Sequence, residues 1–282
     1  MRRQRDRAFA LITVMWVLLL LGLAAGLYGQ RVRAQVLTTV NRLDIVQARL
    51  AADAGVAIAL SMLTRAREGS SPMPTGVACS IDGIRLRLSI QDEHGKIDLN
   101  TASETILTEV FAGAGLAPAT AGDIARKMAA RPSPFRSLDQ LDRVAGLPWR
   151  VADRAKPALT VWTGRPGIDP ETAHPQALAA VERAVGLAGD QASGRELAQL
   201  FVRALYSQSP RRDYQVVVET RSQEGAVFVR EAVVRLATKP GGEPRILTWR
   251  RGSPRSAATD EPAGRSRVPC ATVLEEGEAG RT

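Results

Sequence analysis

Residues 9–28 read FALITVMWVLLLLGLAAGLY, a run of 20 residues without a charged side chain. At about 1.5 Å per residue, a helix of this length spans about 30 Å, the thickness of the hydrocarbon core of a bilayer. Arg2, Arg3, Arg5 and Arg7 precede the run. Because basic flanks stay on the cytoplasmic side, the sequence predicts a single span with a cytoplasmic N-terminus. In a diderm bacterium this places the anchor in the inner membrane and the main domain in the periplasm.

The apolar run admits three interpretations. It is long for the core of a cleaved secretory signal, although Ala24, Ala25 and Gly26 offer small residues for a cleavage site. A plain membrane anchor fits its length. The third interpretation uses residues 7–12, Arg-Ala-Phe-Ala-Leu-Ile, which resemble the class III leader of type IV pilins and pseudopilins.

That leader is a short basic peptide cut before a Phe, which is then N-methylated. The resemblance implies a leader of residues 1–8, cleavage by a prepilin peptidase after Ala8, and methylation of Phe9. The family usually has Gly where this sequence has Ala8. It also usually has Glu as the fifth residue after the cut, where this sequence has Thr13. In the family that Glu neutralises the N-terminal amine of a neighbouring subunit, so a chain without it suits a tip position with no subunit above.

The sequence after the apolar run predicts that the helix continues to about residue 67. Residues 31–67 contain no Pro, and Gly55 is their one Gly. Apolar residues recur at spacings of three and four, which mark one face of a helix. They are Val32, Val36, Val40, Leu43, Val46, Leu50, Ala54, Ala57, Leu60 and Leu63. A long N-terminal helix, half in the membrane and half packed on a sheet, is the pilin architecture.

Strand patterns flank the middle of the chain. Residues 77–81 and 84–90 predict a β-hairpin around Asp82-Gly83, a pair that suits a type I′ turn. Residues 214–220 and 226–236 predict a second pair around the segment 222–225, and residues 246–249 predict a last strand. Helices are predicted between these strand groups, over 103–113, 119–130, 137–145, 150–156, 174–186 and 194–207.

The helical middle contains an internal repeat. Residues 97–102 read Ile-Asp-Leu-Asn-Thr-Ala with Leu107 after them, and residues 168–173 read Ile-Asp-Pro-Glu-Thr-Ala with Leu178 after them. The Thr, or the Ser that follows it in the first copy, is expected to cap the next helix. Each Leu is expected on the buried face of that helix.

Four segments together resemble the minor pseudopilin K of type II secretion systems. They are residues 92–102, residues 134–141, Leu159-Thr160-Val161 and the second Ile-Asp repeat. The resemblance runs from residue 1 to about 250. It implies an α+β fold: a long N-terminal transmembrane helix continues into a pilin-like core with an antiparallel sheet, which carries a large inserted all-helical domain.

The predicted organisation follows from this resemblance and the anchor. It comprises a leader (1–8), a transmembrane helix (9–28), a periplasmic extension of that helix (29–68), a pilin-like sheet (69–96 and 209–250), an inserted helical domain (97–208) and a disordered tail (251–282).

The resemblance also implies partners and a metal. Protein K joins the minor pseudopilins I and J at the pseudopilus tip, where the complex initiates assembly. Other pseudopilins, the inner-membrane assembly platform and membrane lipid are expected as further contacts. No cofactor is required, but some members of the family bind calcium, which prefers oxygen ligands. The available side chains are Asp92, Glu93, Asp98, Asn100, Asp169 and Glu171.

Composition leaves one rival open. The formal net charge is +9, and a basic domain can bind nucleic acid. The first Ile-Asp segment also resembles the helix-hairpin-helix domain of membrane-anchored DNA receptors, with residues 113–115, Gly-Ala-Gly, as the phosphate-binding turn. In the second such turn Pro148 replaces a donor, so nucleic acid is not the expected partner.

Two further features of the sequence concern enzymatic activity and the cysteines. No catalytic motif or metal-ligand spacing is present, so the sequence predicts no enzymatic activity. Cys79 and Cys270 are the two cysteines, and a periplasmic location would allow them to form a disulfide.

Overall fold

The computed structural model describes residues 2–67, 69, 75–191, 205–239, 242–254 and 269–272; for residues 2–14, 32, 34 and 187–191 it describes the backbone alone. The protein combines one very long N-terminal helix with an antiparallel sheet and a group of shorter helices. This confirms the predicted α+β fold class.

The N-terminal helix α1 spans Arg2–Arg67, 66 residues without a break. At about 1.5 Å per residue it is roughly 100 Å long, several times the diameter of a small domain. Arg65 and Arg67 lie in its last turn, where cations are favoured by the helix dipole. The Arg67 guanidinium donates to the carbonyl oxygens of Ala237 and Thr238, which ties the end of the helix to a connection between two strands of the sheet.

Seven strands follow in chain order: β1 (Gly76–Ile81), β2 (Ile84–Asp92), β3 (Ile97–Asp98), β4 (Leu159–Thr160), β5 (Asp213–Arg221), β6 (Val227–Arg235) and β7 (Arg245–Arg251). Five of them form one sheet in the order β1-β2-β5-β6-β7, with every neighbour antiparallel. β3 and β4 form a separate parallel pair. Because β2 and β5 are adjacent, everything between them replaces what would otherwise be a hairpin turn.

The predicted β-hairpin is confirmed. Asp82 and Gly83 have φ values of 48° and 78°, the two positive angles that a type I′ turn requires. Along β2, apolar residues from Ile84 to Ile90 alternate buried with the exposed Arg85 and Arg87. This period of two places one face of the strand under α1 and the other outside.

The C-terminal half of α1 packs on the sheet through small side chains. Its buried residues are Ala48, Ala51, Ala52, Val56, Ala59 and Leu63. They join sheet residues such as Leu86, Val216 and Val218 in one hydrophobic core. Gly55 lies at the contact, where an added Cβ would stand 2.6 Å from Cγ1 of Val218. The Ala residues and Gly55 at the contact let this part of the helix approach the sheet closely.

The apolar face predicted for α1 differs from the face that meets the sheet. Among the predicted residues, Leu63 is buried, whereas Val36, Val40, Leu43, Val46 and Leu50 are exposed. The prediction weighted large apolar residues, and the sheet contact is made by Ala and Gly. The helix therefore has two apolar faces, one covered and one open.

In the described residues between β2 and β5 there are four further α-helices: α2 (Glu104–Gly113), α3 (Pro118–Ala129), α4 (Trp149–Ala155) and α5 (Pro175–Gln191). They match four of the predicted helices within a few residues. Residues Leu138–Arg143 form a 3₁₀ helix where 137–145 was predicted as an ordinary helix; it is too short to complete two α-helical turns. Of the helix predicted at 194–207, residues 194–204 lie outside the described residues.

The helices and the sheet have separate cores. One cluster holds Phe111, Ile106, Leu141 and other residues from between β2 and β5. The other holds residues of α1 and of the five-stranded sheet, together with Cys270. Among the described residues, the buried side chains of the two parts form two separate hydrophobic clusters, so no continuous hydrophobic core joins them there.

Cys79 and Cys270 form a disulfide. It holds residues 269–272 against the sheet, where Pro269 forms a parallel bridge with Ser80 of the edge strand β1. Both cysteines are buried, and both belong to the hydrophobic core between α1 and the sheet.

Candidate functional site

The open face of α1 is a row of large apolar side chains that nothing in the described chain covers. We call Val36, Val40, Leu43, Val46 and Leu50 the exposed stripe. Leu43 and Leu50 are 57% and 62% exposed. Spacings of three and four keep the five residues on one side of the helix. Such a row on a helix is suited to packing against other helices.

N-terminal to the stripe, α1 has the length and composition of a membrane span. Among the described residues it is the one helix that meets these criteria, over Met15–Arg67. Its apolar side chains from Met15 to Leu27 are all exposed. This agrees with an anchor, since a helix inside a soluble core would have those side chains covered.

The three residues predicted to matter for processing and assembly lie in this part of α1. Ala8, Phe9 and Thr13 have helical backbone, and their side chains are outside what the structure describes. Cleavage after Ala8, methylation of Phe9 and the role of Thr13 therefore stay predictions.

The Ile-Asp repeat corresponds to two similar turns. In the first, Oδ1 of Asp98 accepts from the amide of Asn100 at 2.8 Å, and Oδ2 accepts from the amide of Gly164 at 2.8 Å. In the second, Oδ1 of Asp169 accepts from the amide of Glu171 at 3.0 Å, and Oδ2 from the amide of Ser209 at 2.8 Å. Each Asp thus builds its own turn and fixes a distant loop to it.

The Ile before each Asp also pairs with a later segment. Ile97 of β3 pairs in parallel with Leu159 of β4, and Ile168 forms a parallel bridge with Tyr206. Both Ile side chains are fully buried in the helical core. Each copy therefore opens a helical segment that returns to pair with it. Ser103 accepts from the amide of Ile106 at the start of α2, which confirms the predicted cap.

The second turn is attached to the residues that immediately precede the first. The amide of Asp169 donates to the carbonyl oxygen of His94, and the amide of His174 donates to that of Gly95, both at 2.8 Å. A Cβ on Gly95 would collide with the carbonyl group of Thr172. The pKa of His174 is lowered by burial and by the neighbouring Lys96 ammonium, which keeps this imidazole neutral near pH 7.

A buried ion pair joins the helical part to the sheet. Nζ of Lys96 lies 2.7 Å from Oε1 of Glu93 and 2.8 Å from Oε1 of Gln215 in β5. Thr160 of β4 donates to the other Glu93 oxygen. Glu93 and Lys96 are each 2% exposed. Removing one partner would leave the other charge buried and unpaired, so these residues fix the position of the helical part on the sheet.

The oxygen ligands proposed for calcium do not form a site. Both carboxylate oxygens of Asp92, Asp98 and Asp169 accept hydrogen bonds from protein donors. Glu93 is paired with Lys96, and Asn100 bonds the amide and carbonyl groups of Phe135. Within the described residues no group of three or more acidic, His or Cys side chains is placed to hold a metal ion. The arrangement does not fit calcium there.

The backbone amides at the turn proposed to bind DNA phosphate already donate hydrogen bonds within the protein. The amides of Ala114, Gly115 and Leu116 donate to the carbonyl oxygens of Val110, Ala112 and Phe111. Gly115 has φ 98°, the left-handed conformation that ends α2. These donors complete the C-terminus of a helix, so they are not directed at an external anion.

Of the comparisons with known proteins, the one with solved structures gives a match. No protein-family model and no curated protein matches the chain. A solved structure does: a chain of "The Crystal Structure of the GspK-GspI-GspJ complex from enterotoxigenic Escherichia coli Type 2 Secretion System". The fold is that of a minor pseudopilin. The match has a TM-score of 0.60 and 13% sequence identity, and it covers 77% of this chain and 100% of that chain.

The pseudopilin fold confirms what the resemblance to protein K predicted about architecture. At 13% identity the likeness concerns the fold alone. Two features of this pseudopilin fold were not predicted: the Ala-rich face of α1 and the ion pair of Glu93 with Lys96. The spacing of Ala48, Ala52 and Ala59 with Gly55 was available in the sequence. No local pattern could have paired Lys96 with Gln215, because that contact spans 119 positions.

Proposed function

We propose that this protein is a minor pseudopilin of a type II secretion system. It forms a tip complex with the minor pseudopilins I and J that initiates or caps the pseudopilus during export of proteins from the periplasm. The observation that carries the proposal is the exposed stripe, on a helix whose opposite face is already occupied by a sheet. A filament of pseudopilins supplies helices that would cover it.

The N-terminal segment would place the protein in the inner membrane. Residues 9–28 cross the bilayer in contact with lipid, with the basic residues 1–8 in the cytoplasm. A prepilin peptidase cuts after Ala8, and Phe9 becomes the methylated N-terminus. The assembly platform in the same membrane then passes the subunit to the growing pseudopilus.

Two features support a place at the tip. The helical part between β2 and β5 adds bulk to the sheet, and a subunit of the filament body so enlarged would clash with the next layer. Thr13 stands where body subunits carry a Glu that pairs with a neighbouring amine. A subunit with nothing above it does not need that carboxylate, whose burial in the membrane would be costly if unpaired.

The exposed stripe can be tested by a single charge. Leu43→Asp should abolish recovery of minor pseudopilins I and J with the full-length protein from detergent-solubilised membranes. The reason is that an unpaired carboxylate would be buried between helices. Asn41→Asp is the matched control: it adds the same charge about 200° around the helix, on an exposed position. Equal recovery with both variants would contradict the proposal.

Processing can be tested by mass spectrometry. The membrane-purified protein should begin with N-methylated Phe9, since the class III leader is cut before that residue. An Ala8→Gly variant should be processed at least as completely, because Gly is the usual residue there. Finding an intact Met1, or a cut near Ala25, would exclude the pseudopilin route into the membrane.

A further inference from the structure

The two edge strands of the five-stranded sheet differ in whether another segment of the chain lies against them. At β1, residues 269–272 lie against the strand, bridged at Ser80 and held by the Cys79–Cys270 disulfide. At β7, Arg245–Arg251, no described residue pairs with the outer side of the strand. A seven-residue strand leaves an edge about 23 Å long with free backbone donors and acceptors.

The open edge carries two large apolar side chains. Ile246 is 49% exposed and Trp249 is 41% exposed. Their partners in register on β6 are Val234 and Ala232, which belong to the core under α1. Both therefore stand on the α1 side of the sheet, beside the helix, where a strand added to β7 would bring its own side chains next to them.

The same edge has an excess of positive charge. β7 reads RILTWRR and contains no acidic residue. Arg250 pairs with Glu231 and Asp139. Arg245 and Arg251 have no carboxylate partner within the described chain, and Arg251 lies over the ring of Phe228 at 5.2 Å. Arg230, stacked between Phe228 and Trp249, is held by Asp53 of α1 and has a buried nitrogen, Nη2, without a hydrogen bond.

This charge decides which strand can pair with the edge. Two copies of β7 placed edge to edge would bring Arg245 and Arg251 of both copies to one junction, and like charges brought together there oppose pairing. An acidic strand would instead bring carboxylates to this positively charged edge, and opposite charges attract. Self-pairing is therefore disfavoured and an acidic partner is favoured by the same residues.

We propose that β7 is a docking edge that receives an extended segment of another protein, one in which acidic residues alternate with apolar ones. The partner's backbone extends the sheet, its apolar side chains cover Ile246 and Trp249 on the α1 face, and its carboxylates meet Arg245 on the other face. The register shift in β7 separates these faces, since Arg245 pairs with Arg235 and Trp249 with Ala232. This goes beyond the proposed function and holds whether or not the protein occupies a pseudopilus tip.

The test uses the full-length, disulfide-bonded protein in detergent and a labelled synthetic peptide of alternating Glu and Val. Trp249→Glu should weaken binding at least tenfold, because it places a carboxylate against the Val side chains of the peptide. Trp149→Glu is the matched control, since Trp149 is 67% exposed and lies in α4, away from β7. Ile246→Glu is a second edge variant in case Trp249→Glu does not fold.

Three further results are expected if the edge is the site. Binding should weaken as salt is raised, a peptide with Lys in place of Glu should not bind, and hydrogen exchange should slow at the amides of residues 245–251. Equal binding of the Lys peptide, an equal loss in Trp149→Glu, or protection confined to other strands would overturn the proposal.

The chain's own C-terminal segment is the competing occupant. Exchange at the β7 amides is compared between a Cys79→Ser, Cys270→Ser chain of full length and a Cys79→Ser chain that ends at Pro254. Unchanged exchange supports an edge open to a partner. Faster exchange in the shortened chain would show that residues after 254 already cover β7, and the proposal would fall.

Discussion

Gly55 is a residue at which α1 packs closely on the sheet. Its position has no room for a side chain, since an added Cβ would lie 2.6 Å from Cγ1 of Val218, a fully buried residue. The neighbouring Ala52, Val56 and Ala59 are buried as well. The helix–sheet distance is therefore set by the smallest residue of the interface.

Gly55→Leu should destabilise the protein by about 1–3 kcal/mol, the usual cost of inserting a large side chain into a packed core. The measurement is the free energy of unfolding by denaturant, followed through the sheet signal in circular dichroism. Gly186→Ala is the control: Gly186 lies in α5 with nothing within 4 Å of an added Cβ, and Ala is a better helix former by about 1 kcal/mol. Equal stability of Gly55→Leu and the native chain would refute the close contact.

Residue-scale prediction from sequence succeeded where the interaction is local. Ser103 as a cap and Asp82-Gly83 as a turn depend on neighbouring residues alone, and the structure confirms both. Glu93 and Lys96 could not be assigned, because their partners Thr160 and Gln215 come from distant parts of the chain. The acidic side chains considered for calcium depend on distant partners as well: in the structure, Asp92, Asp98 and Asp169 each accept hydrogen bonds from a neighbouring amide and from a remote part of the chain.

At the scale of elements, the strands were the easiest to predict and α1 the hardest to orient. β2 alternates strictly because one of its faces meets α1. In α1 the large apolar residues predicted one face, and that face is the exposed stripe. Ala carries too little hydrophobic signal to identify a buried face, although it permits the closest packing. A helix with two apolar faces cannot show a single amphipathic pattern.

The disulfide is the element-scale feature with the clearest energetic consequence. Cys270→Ser should lower the free energy of unfolding by about 2–4 kcal/mol, because the bond restricts the unfolded chain over a long loop. Thermal or denaturant melting of the oxidised protein measures the loss. Reductant should lower the stability of the native chain and leave Cys270→Ser unchanged; equal stability of the variant and the oxidised native chain would contradict this.

At the scale of the whole molecule, the protein has two hydrophobic cores. The helical part, which contains one of them, is inserted between the adjacent strands β2 and β5 of the sheet. β2 and β5 are adjacent and antiparallel, with Asp92 opposite Tyr214. The helical part leaves and returns at that point, and its contact with the sheet is polar at Lys96 and at the Arg250–Asp139 pair. Sequence patterns predicted both parts, but the adjacency of β2 and β5 is a long-range pairing that only the fold reveals.

Replacing residues 93–213 by Asn-Gly should leave α1 and the five-stranded sheet folded. Asn-Gly suits a two-residue hairpin between adjacent antiparallel strands, and the two cores share no residue. The expected result is cooperative melting with an intact Cys79–Cys270 bond, read by circular dichroism and by mobility on non-reducing gels. Loss of cooperativity together with free thiols would show that the sheet depends on the helical part.

The Cys79–Cys270 bond has a consequence for resistance to proteolysis. It turns residues 79–270 into a closed covalent ring that contains α2 to α5 and the strands from β2 to β7. A protease that cuts the backbone once inside this ring opens it without releasing a fragment. The long helix α1 and the far end of the chain stay covalently linked, so a molecule that has been cut once remains one molecule.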